Sequence, residues 1–304
     1  MWRGIVGAAL CLGLAACGAE EAAKQAADDV RETIDPVAEA ADRTVAADGA
    51  RLLGDVDLVL PDGTSVPMEL TGAISFEDAR SAVSFDLPDR VRGVLPRDLE
   101  KARRQMGTPW SSVTDGDVTY TSLGLIREKG AAEGIEWLRV DMSELDEQLG
   151  TDLGGVNAIS EGNPAEMLRF LRVAGDARKT GTKWMQGVET TRWEASADLR
   201  DYPDVVAPDE RAAARRTVEL LDRAWDGDLA MDVTVWIDDQ GLIRRERMQM
   251  PLTAGDGTEM TMDLRMDLLD VGKPQEIELP DEDEVMDITD EAADQLDGAS
   301  GDES

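Results

Sequence analysis

Residues 229–271 read LAMDVTVWIDDQGLIRRERMQMPLTAGDGTEMTMDLRMDLLDV, a stretch in which apolar and polar side chains alternate with a period of two. Such alternation is typical of β-strands that bury one face of a sheet. Turn residues interrupt it at 238–241 and again at 254–257. The stretch therefore predicts three consecutive antiparallel strands, at 229–237, 242–250 and 258–271.

The same alternation extends outward through most of the chain. It predicts an N-terminal meander over residues 51–87 and further strands at 118–125, 135–142 and 182–199. Two helices are indicated by their start signals, one at Asn163-Pro164 and one at Pro208. We therefore expect an α+β fold in which an antiparallel sheet buries one face.

Methionines recur on one face of the last two predicted strands, at Met248 and Met250 and then at Met260, Met262 and Met266. One interpretation is a thioether copper(I) site, since two Met side chains in a Met-x-Met pattern present soft ligands on one side. Packing of an apolar sheet face is the simpler interpretation, because it also accounts for the intervening leucines. A third is a loosely packed surface for acyl chains.

The charge balance excludes several classes of function. The 304 residues include 65 acidic and 31 basic side chains, no histidine and two cysteines, with a net charge of -34. Such an acidic chain repels phosphate backbones, so we expect no nucleic-acid partner. Without histidine there is no imidazole base or His-ligated zinc, and no phosphate-binding loop or nucleophile elbow is present. We predict neither an enzyme nor a bound metal or cofactor.

The N-terminus has the pattern of a secretory signal peptide. Arg3 precedes the apolar segment 4–14, which is too short to span a bilayer. Leu14-Ala15-Ala16-Cys17 resembles the bacterial lipobox, and the resemblance implies that Cys17 receives diacylglycerol and palmitate and becomes the mature N-terminus. Cys11 lies in the part that is removed. We predict a signal peptide at 1–16, a partly helical tether at 17–43, and a lipid anchor on the extracytoplasmic face of the cell membrane.

Several segments together are similar to the actinobacterial LppX/LprG lipoproteins, relatives of the LolA/LolB carriers. The resemblance covers roughly residues 44–280 and implies a curved antiparallel β half-barrel, with helices covering its concave face and an apolar cavity between them. It also implies a lipid or glycolipid ligand that the protein binds, carries or presents in the cell envelope. The segments that show the similarity are Val118-Thr119-Tyr120, Glu136 to Asp141, Asn163 to Leu171, Gly187 to Trp193 and Val235 to Arg245.

The apolar faces of the predicted strands and helices supply the candidate cavity residues. An envelope sensor or protein-interaction module on the same fold, with a protein partner in place of a lipid, remains the alternative function. Residues 281–304 are predicted to form a disordered acidic tail, because the chain after Lys273 contains no basic residue. The candidate lipid-binding residues are Val83, Phe85, Leu168, Leu171, Val233, Val235, Met248, Met250, Met260, Met262, Leu264 and Met266.

Overall fold

The alternating segments form strands in the structure, a computed structural model that describes residues 35–87, 110–122, 134–149, 164–208, 211–224, 229–253 and 259–300. The strands are β1 (Gly49–Val59), β2 (Ser65–Ser75), β3 (Arg80–Asp86), β4 (Trp110–Asp115), β5 (Val118–Ser122), β6 (Trp137–Asp141), β7 (Ala174–Met185), β8 (Val188–Asp198), β9 (Ala230–Asp238), β10 (Ile243–Thr253), β11 (Glu259–Leu269) and β12 (Val285–Asp287). The α-helices are α1 (Pro36–Val45), α2 (Met142–Leu149), α3 (Pro164–Phe170), α4 (Tyr202–Val205), α5 (Arg211–Ala224) and α6 (Thr289–Ser300), and short 3-10 turns include Leu171–Val173.

The strands form one 12-stranded sheet in the order β12-β6-β5-β4-β3-β2-β1-β11-β10-β9-β8-β7. Neighbouring strands are antiparallel except β6 and β12, which are parallel. The sheet is open and curved, and helix α1 and the 3-10 turn 171–173 pack on one side of it. We call this side the inner face. The predicted α+β fold, a curved antiparallel sheet with covering helices, is confirmed.

The main hydrophobic cluster lies between the inner face and the helices. Its largest fully buried apolar side chains come from strands β1, β2, β10 and β11, from the segment 168–171, and from Leu199, Leu221 and Leu229. A smaller cluster of Leu60, Val66 and Leu87 lies at the far end of the β1–β2 hairpin. A third cluster, formed by Met142, Leu145 and Ala293, joins α2 to α6.

Two glycines occupy inner-face positions in neighbouring strands. A Cβ atom on Gly72 would lie 2.3 Å from the carbonyl oxygen of Ala82, and one on Gly54 would lie 2.5 Å from that of Arg265. At these two positions, β2 lies too close to β3, and β1 too close to β11, for any residue with a Cβ atom to fit without a shift. Glycine within a strand is typical of such close approaches and of sharp bends in a curved sheet.

Helix α1 begins the folded unit earlier than the predicted domain boundary at Thr44. Pro36 occupies its first position, where proline's missing N–H costs nothing. Val37, Ala40 and Ala41 are buried in the main cluster, so the last residues of the predicted tether belong to the core. The first part of that tether, the signal peptide and Cys17 lie outside the described residues.

The predicted strand at 182–199 is instead a hairpin of β7 and β8. Its turn is formed by Gln186 and Gly187, both of which have positive φ angles. β7 is the last strand at one end of the sheet, and its side chains from Arg178 to Trp184 are exposed. In the part of the chain that the structure describes, β7 pairs with β8 alone and buries few side chains, so it shows little alternation in the sequence.

The acidic segment 281–300 also differs from the prediction of a disordered tail. Strand β12 pairs with β6, and the N–H of Ile288 donates to the carbonyl oxygen of Arg139 at 2.9 Å. Asp287 then accepts hydrogen bonds from the N–H and hydroxyl of Thr289, at 3.0 and 2.7 Å, and its carboxylate also pairs with Arg139. These bonds give the acidic residues specific partners, so the segment is ordered despite its composition.

Candidate ligand-binding site

The structure brings most of the predicted cavity residues together on the inner face. Met262 lies half-buried at the border of the main cluster, whereas Met260 packs against the smaller cluster at the end of the β1–β2 hairpin. Met260 therefore shares the inner face but not the main cluster. The predicted residues that lie within the main cluster are Val83, Phe85, Leu168, Leu171, Val233, Val235, Met248, Met250, Leu264 and Met266.

The β9–β10 turn fixes the position of the strand that crosses the centre of this region. Asp238 accepts hydrogen bonds from the backbone N–H groups of Gln240 and Leu242, both at 2.9 Å. Its carboxylate also pairs with Arg244 at 2.6 Å, and both side chains are largely buried. Gly241 completes the turn with a φ of 78°. Strand β10 thus starts from a rigid corner.

A β-bulge directly after this turn decides which residues of β10 face inward. Ile243 lies opposite Ile237, but Arg245 lies opposite Trp236, so β10 holds one extra residue there. The shift directs Glu246 inward, in one row with Met248 and Met250. Without the bulge, strict alternation from the buried Ile243 would direct Arg245 inward instead.

The opposite face of β10 carries an ordered set of ion pairs. Arg245 binds Asp267 through two contacts, at 2.6 and 2.7 Å, and Arg247 pairs with Asp263. Arg245 also lies over the ring of Trp236, 5.7 Å from its centroid. Bidentate pairs of this kind orient the strands as well as neutralising charge. They also hold the arginines of β10 on the outer side of the sheet.

Glu246 is the unexpected member of the site. Its side chain is completely buried, and among the residues that the structure describes neither carboxyl oxygen has a hydrogen-bond partner. The residues directly opposite it on the neighbouring strands, Val235 and Met266, are also 0% exposed. Burial raises the pKa of Glu246 from 4.5 to about 8, so the carboxyl group is largely protonated at neutral pH. The site thus places one uncharged acid within an apolar surface.

Sequence reasoning missed Glu246, although one signal pointed to it. With a period of two, position 246 shares the face of Met248 and Met250. Together with Arg244, Arg245 and Arg247, however, Glu246 forms a run of four charged residues that hides this alternation. Unpaired buried polar groups are rare in folded proteins, and each costs about 1–3 kcal/mol, which makes this residue the strongest functional candidate of the inner face.

Helix α1 covers the start of β10 through one buried threonine. The hydroxyl of Thr44 donates to the carbonyl oxygen of Ala40 at 2.7 Å and accepts from the N–H of Ile243 at 2.9 Å. Thr44 is 0% exposed. The backbone N–H at the bulge is therefore satisfied by the helix rather than by a neighbouring strand. This contact fixes α1 over the start of β10, three residues before Glu246.

An open groove of about 890 Å³ lies on the outer side of strands β7 to β10. Both signs of charge line it, among them Arg178, Arg192, Glu194, Asp232 and Arg247. A mixed, largely paired lining of this kind differs from the apolar cavity that the sequence predicted. In the described part of the chain, no group of three or more His, Cys, Asp or Glu side chains has the arrangement of a metal site.

Comparisons with known proteins find structural similarity only at low sequence identity. No protein-family model and no curated protein sequence matches the chain. Among solved structures, the lipoprotein LppX from Mycobacterium tuberculosis matches 80% of this chain and 100% of its own, with 12% identity and a TM-score of 0.41. LprF from Mycobacterium bovis matches 82% of this chain and 97% of its own, with 13% identity and a TM-score of 0.40.

A LolA superfamily protein from Nitrosomonas europaea matches 81% of this chain and 93% of its own, with 10% identity and a TM-score of 0.30. The similarity to actinobacterial LppX-type lipoproteins and LolA-like proteins, predicted from the sequence, is thus found among solved structures. At these identities it concerns the fold alone. Within the described ranges, no helix is both long and apolar enough to cross a membrane.

Proposed function

We propose that this chain is a lipid-anchored, extracytoplasmic protein that binds, carries or presents a lipid or glycolipid without catalysing a reaction. The observation that carries the proposal is the composition of the inner face, where Met248, Met250, Met262 and Met266 lie in neighbouring strands beneath short helices. Unbranched thioether side chains adapt to flexible ligands better than branched ones do. The predicted cavity residues gathered on this face are the proposed ligand surface.

Lipid should copurify with the protein. We expect the mature chain carrying Cys17→Ser, purified without detergent from a host with related envelope lipids, to release about one lipid per chain on solvent extraction. Met262→Trp should reduce this yield at least several-fold, because it fills the inner face where Met262 is only half-buried. Thr261→Trp is the matched control, since Thr261 is the exposed neighbour on the other face. Native mass spectrometry provides the stoichiometry.

A chain that stays free of lipid after purification and after incubation with membrane extract would contradict the proposal. Equal lipid yields from both tryptophan variants would exclude the inner face as the binding surface. Circular dichroism of both variants shows whether each one is folded, and lipid yields are compared only between folded proteins.

Membrane attachment depends on Cys17 in this proposal. Cys17→Ala should abolish incorporation of labelled palmitate and move the protein from the membrane fraction to the soluble envelope fraction, because two or more acyl chains are needed for stable anchoring. Cys11→Ala is the matched control and should leave both readouts unchanged, since Cys11 lies within the predicted signal peptide. Retention of Cys17→Ala in the membrane, or loss of Cys11→Ala from it, would overturn the anchor assignment.

A protein partner at strand β7 is the second candidate function. Trp184 is 70% exposed, and β7 ends the sheet. An exposed tryptophan on an edge strand is typical of an interaction surface. If partner binding is the main function, Trp184→Ala should abolish binding of the envelope partner, and the lipid extraction described above should find no lipid.

A further inference from the structure

A buried carboxyl group without a partner requires an explanation that packing does not provide. Within the described part of the chain, neither oxygen of Glu246 has a hydrogen-bond partner, and the opposing side chains of Val235 and Met266 are purely apolar. A leucine or methionine in this position would fill the same space without the penalty of an unsatisfied polar group. The site therefore favours a ligand that supplies the missing partner.

The surroundings define the charge of that partner. The charged side chains next to Glu246 on β10 and across from it on β11, Arg245, Arg247, Arg265 and Asp267, lie on the outer face and are engaged in ion pairs. Those on α1, Glu39, Asp42 and Arg43, are exposed and likewise paired. A charged headgroup at Glu246 would thus be buried without a countercharge from these elements, at a cost of several kcal/mol.

The carboxyl group also defines the hydrogen-bonding pattern. A protonated carboxylic acid offers one donor and an acceptor oxygen, and a hydroxyl group offers the same pair. Such a group can bind Glu246 through two complementary hydrogen bonds while its apolar chains lie along Met248, Met250 and Leu264. An ether or a hydrocarbon cannot satisfy the donor and the acceptor together.

We propose that Glu246 is the recognition site for the hydroxyl group of an uncharged lipid, which binds on the inner face with its acyl chains against the methionine-rich strands. The inference rests on the proposed lipid-binding function and specifies its ligand class as neutral, hydroxyl-bearing amphiphiles of the diacylglycerol type. Anionic phospholipids are then poor ligands.

The test compares two probes that differ by one hydrogen-bond donor. The full mature chain with Cys17→Ser is titrated with 1,2-dioleoylglycerol and with its 3-O-methyl ether, and binding is followed by native mass spectrometry. We expect the wild-type chain to favour the free alcohol about 5- to 100-fold, which corresponds to the cost of leaving the acceptor oxygen of Glu246 without a donor. Glu246→Leu should remove this preference, and Glu246→Gln should keep it, because an amide also donates and accepts.

A second readout reports the hydrogen bond itself. The infrared C=O band of the protonated carboxyl group should move to lower frequency when dioleoylglycerol binds, and the band should be missing in Glu246→Gln. Equal binding of alcohol and ether, or an unshifted band in the bound state, would overturn the role of Glu246 while leaving lipid binding intact. Failure of both probes and of membrane-extracted lipid to bind would instead overturn the proposed function.

Discussion

Replacing Glu246 with leucine should stabilise the protein strongly at pH 8 and much less at pH 5. In the folded chain Glu246 keeps its proton up to about pH 8, whereas in the unfolded chain it loses the proton near 4.5. Folding therefore takes up a proton between these values, and the free energy of unfolding contributed by this residue falls as the pH rises through that window. Leucine removes the titration.

The size of this stability gain follows from the difference between the pKa values of Glu246 in the folded and unfolded chains. A displacement from 4.5 to about 8 corresponds to roughly 3–5 kcal/mol, so the stability gain of Glu246→Leu over the wild type should grow by about this amount between pH 5 and pH 8. Urea unfolding of the unlipidated chain at both pH values measures it. Glu69→Leu, at an exposed position of β2, is the control and should show no such growth. An equal gain at both pH values would show that Glu246 is not buried as a neutral acid.

Removing residues 281–304 should unfold one end of the sheet and leave the centre intact. The truncation deletes β12 and α6, and α6 packs against Met142 and Leu145 in the third cluster through Ala293. Exposing these two side chains costs about 1.5–3 kcal/mol each, or about 3–6 kcal/mol together. Hydrogen exchange should become fast in β6 and α2 but stay slow in β9 to β11, because the main cluster contains no residue of the deleted segment.

Two point variants distinguish the contribution of packing by the acidic segment from the contribution of its charge. Ala293→Asp inserts a carboxylate into the third cluster and should reproduce most of the truncation, whereas Asp294→Ala, at the exposed neighbouring position, should be nearly neutral. Unchanged exchange in β6 after the truncation would mean that the acidic segment contributes nothing to the fold.

The sequence pattern was sufficient for the strands that bury one face. The alternation in β9, β10 and β11 predicted both the strands and the inward direction of Val233, Met248 and Met266, because period two and burial act on the same side chains. It failed at β7, whose exposed edge imposes no alternation, and at β12, where partners distant in sequence order an acidic segment. Local composition contains no information on such partners.

The apolar part of the candidate site was predictable from the sequence, whereas its polar part was only weakly indicated, by the shared alternation of Glu246 with Met248 and Met250. Thr44 and Glu246 lie about 200 residues apart in the chain, and their roles depend on the bulge between Ile243 and Arg245. A bulge shifts register without a distinctive residue type, so strict alternation assigns the flanking side chains to the wrong face. The bulge turns Glu246 inward, and beside it Thr44 accepts a hydrogen bond from the N–H of Ile243.

The pairing of β1 with β11 also determines when this protein can fold. Arg51 lies opposite Leu269 and Val59 opposite Thr261. Strand β1 therefore pairs with a strand that is synthesised more than two hundred residues later. Contacts of such separation close large loops and are formed slowly. During synthesis, β1 to β6 emerge first with an open edge at β1. The inner face is complete only when β11 has been made, so a chain halted before residue 259 leaves the edge of β1 without its β11 partner.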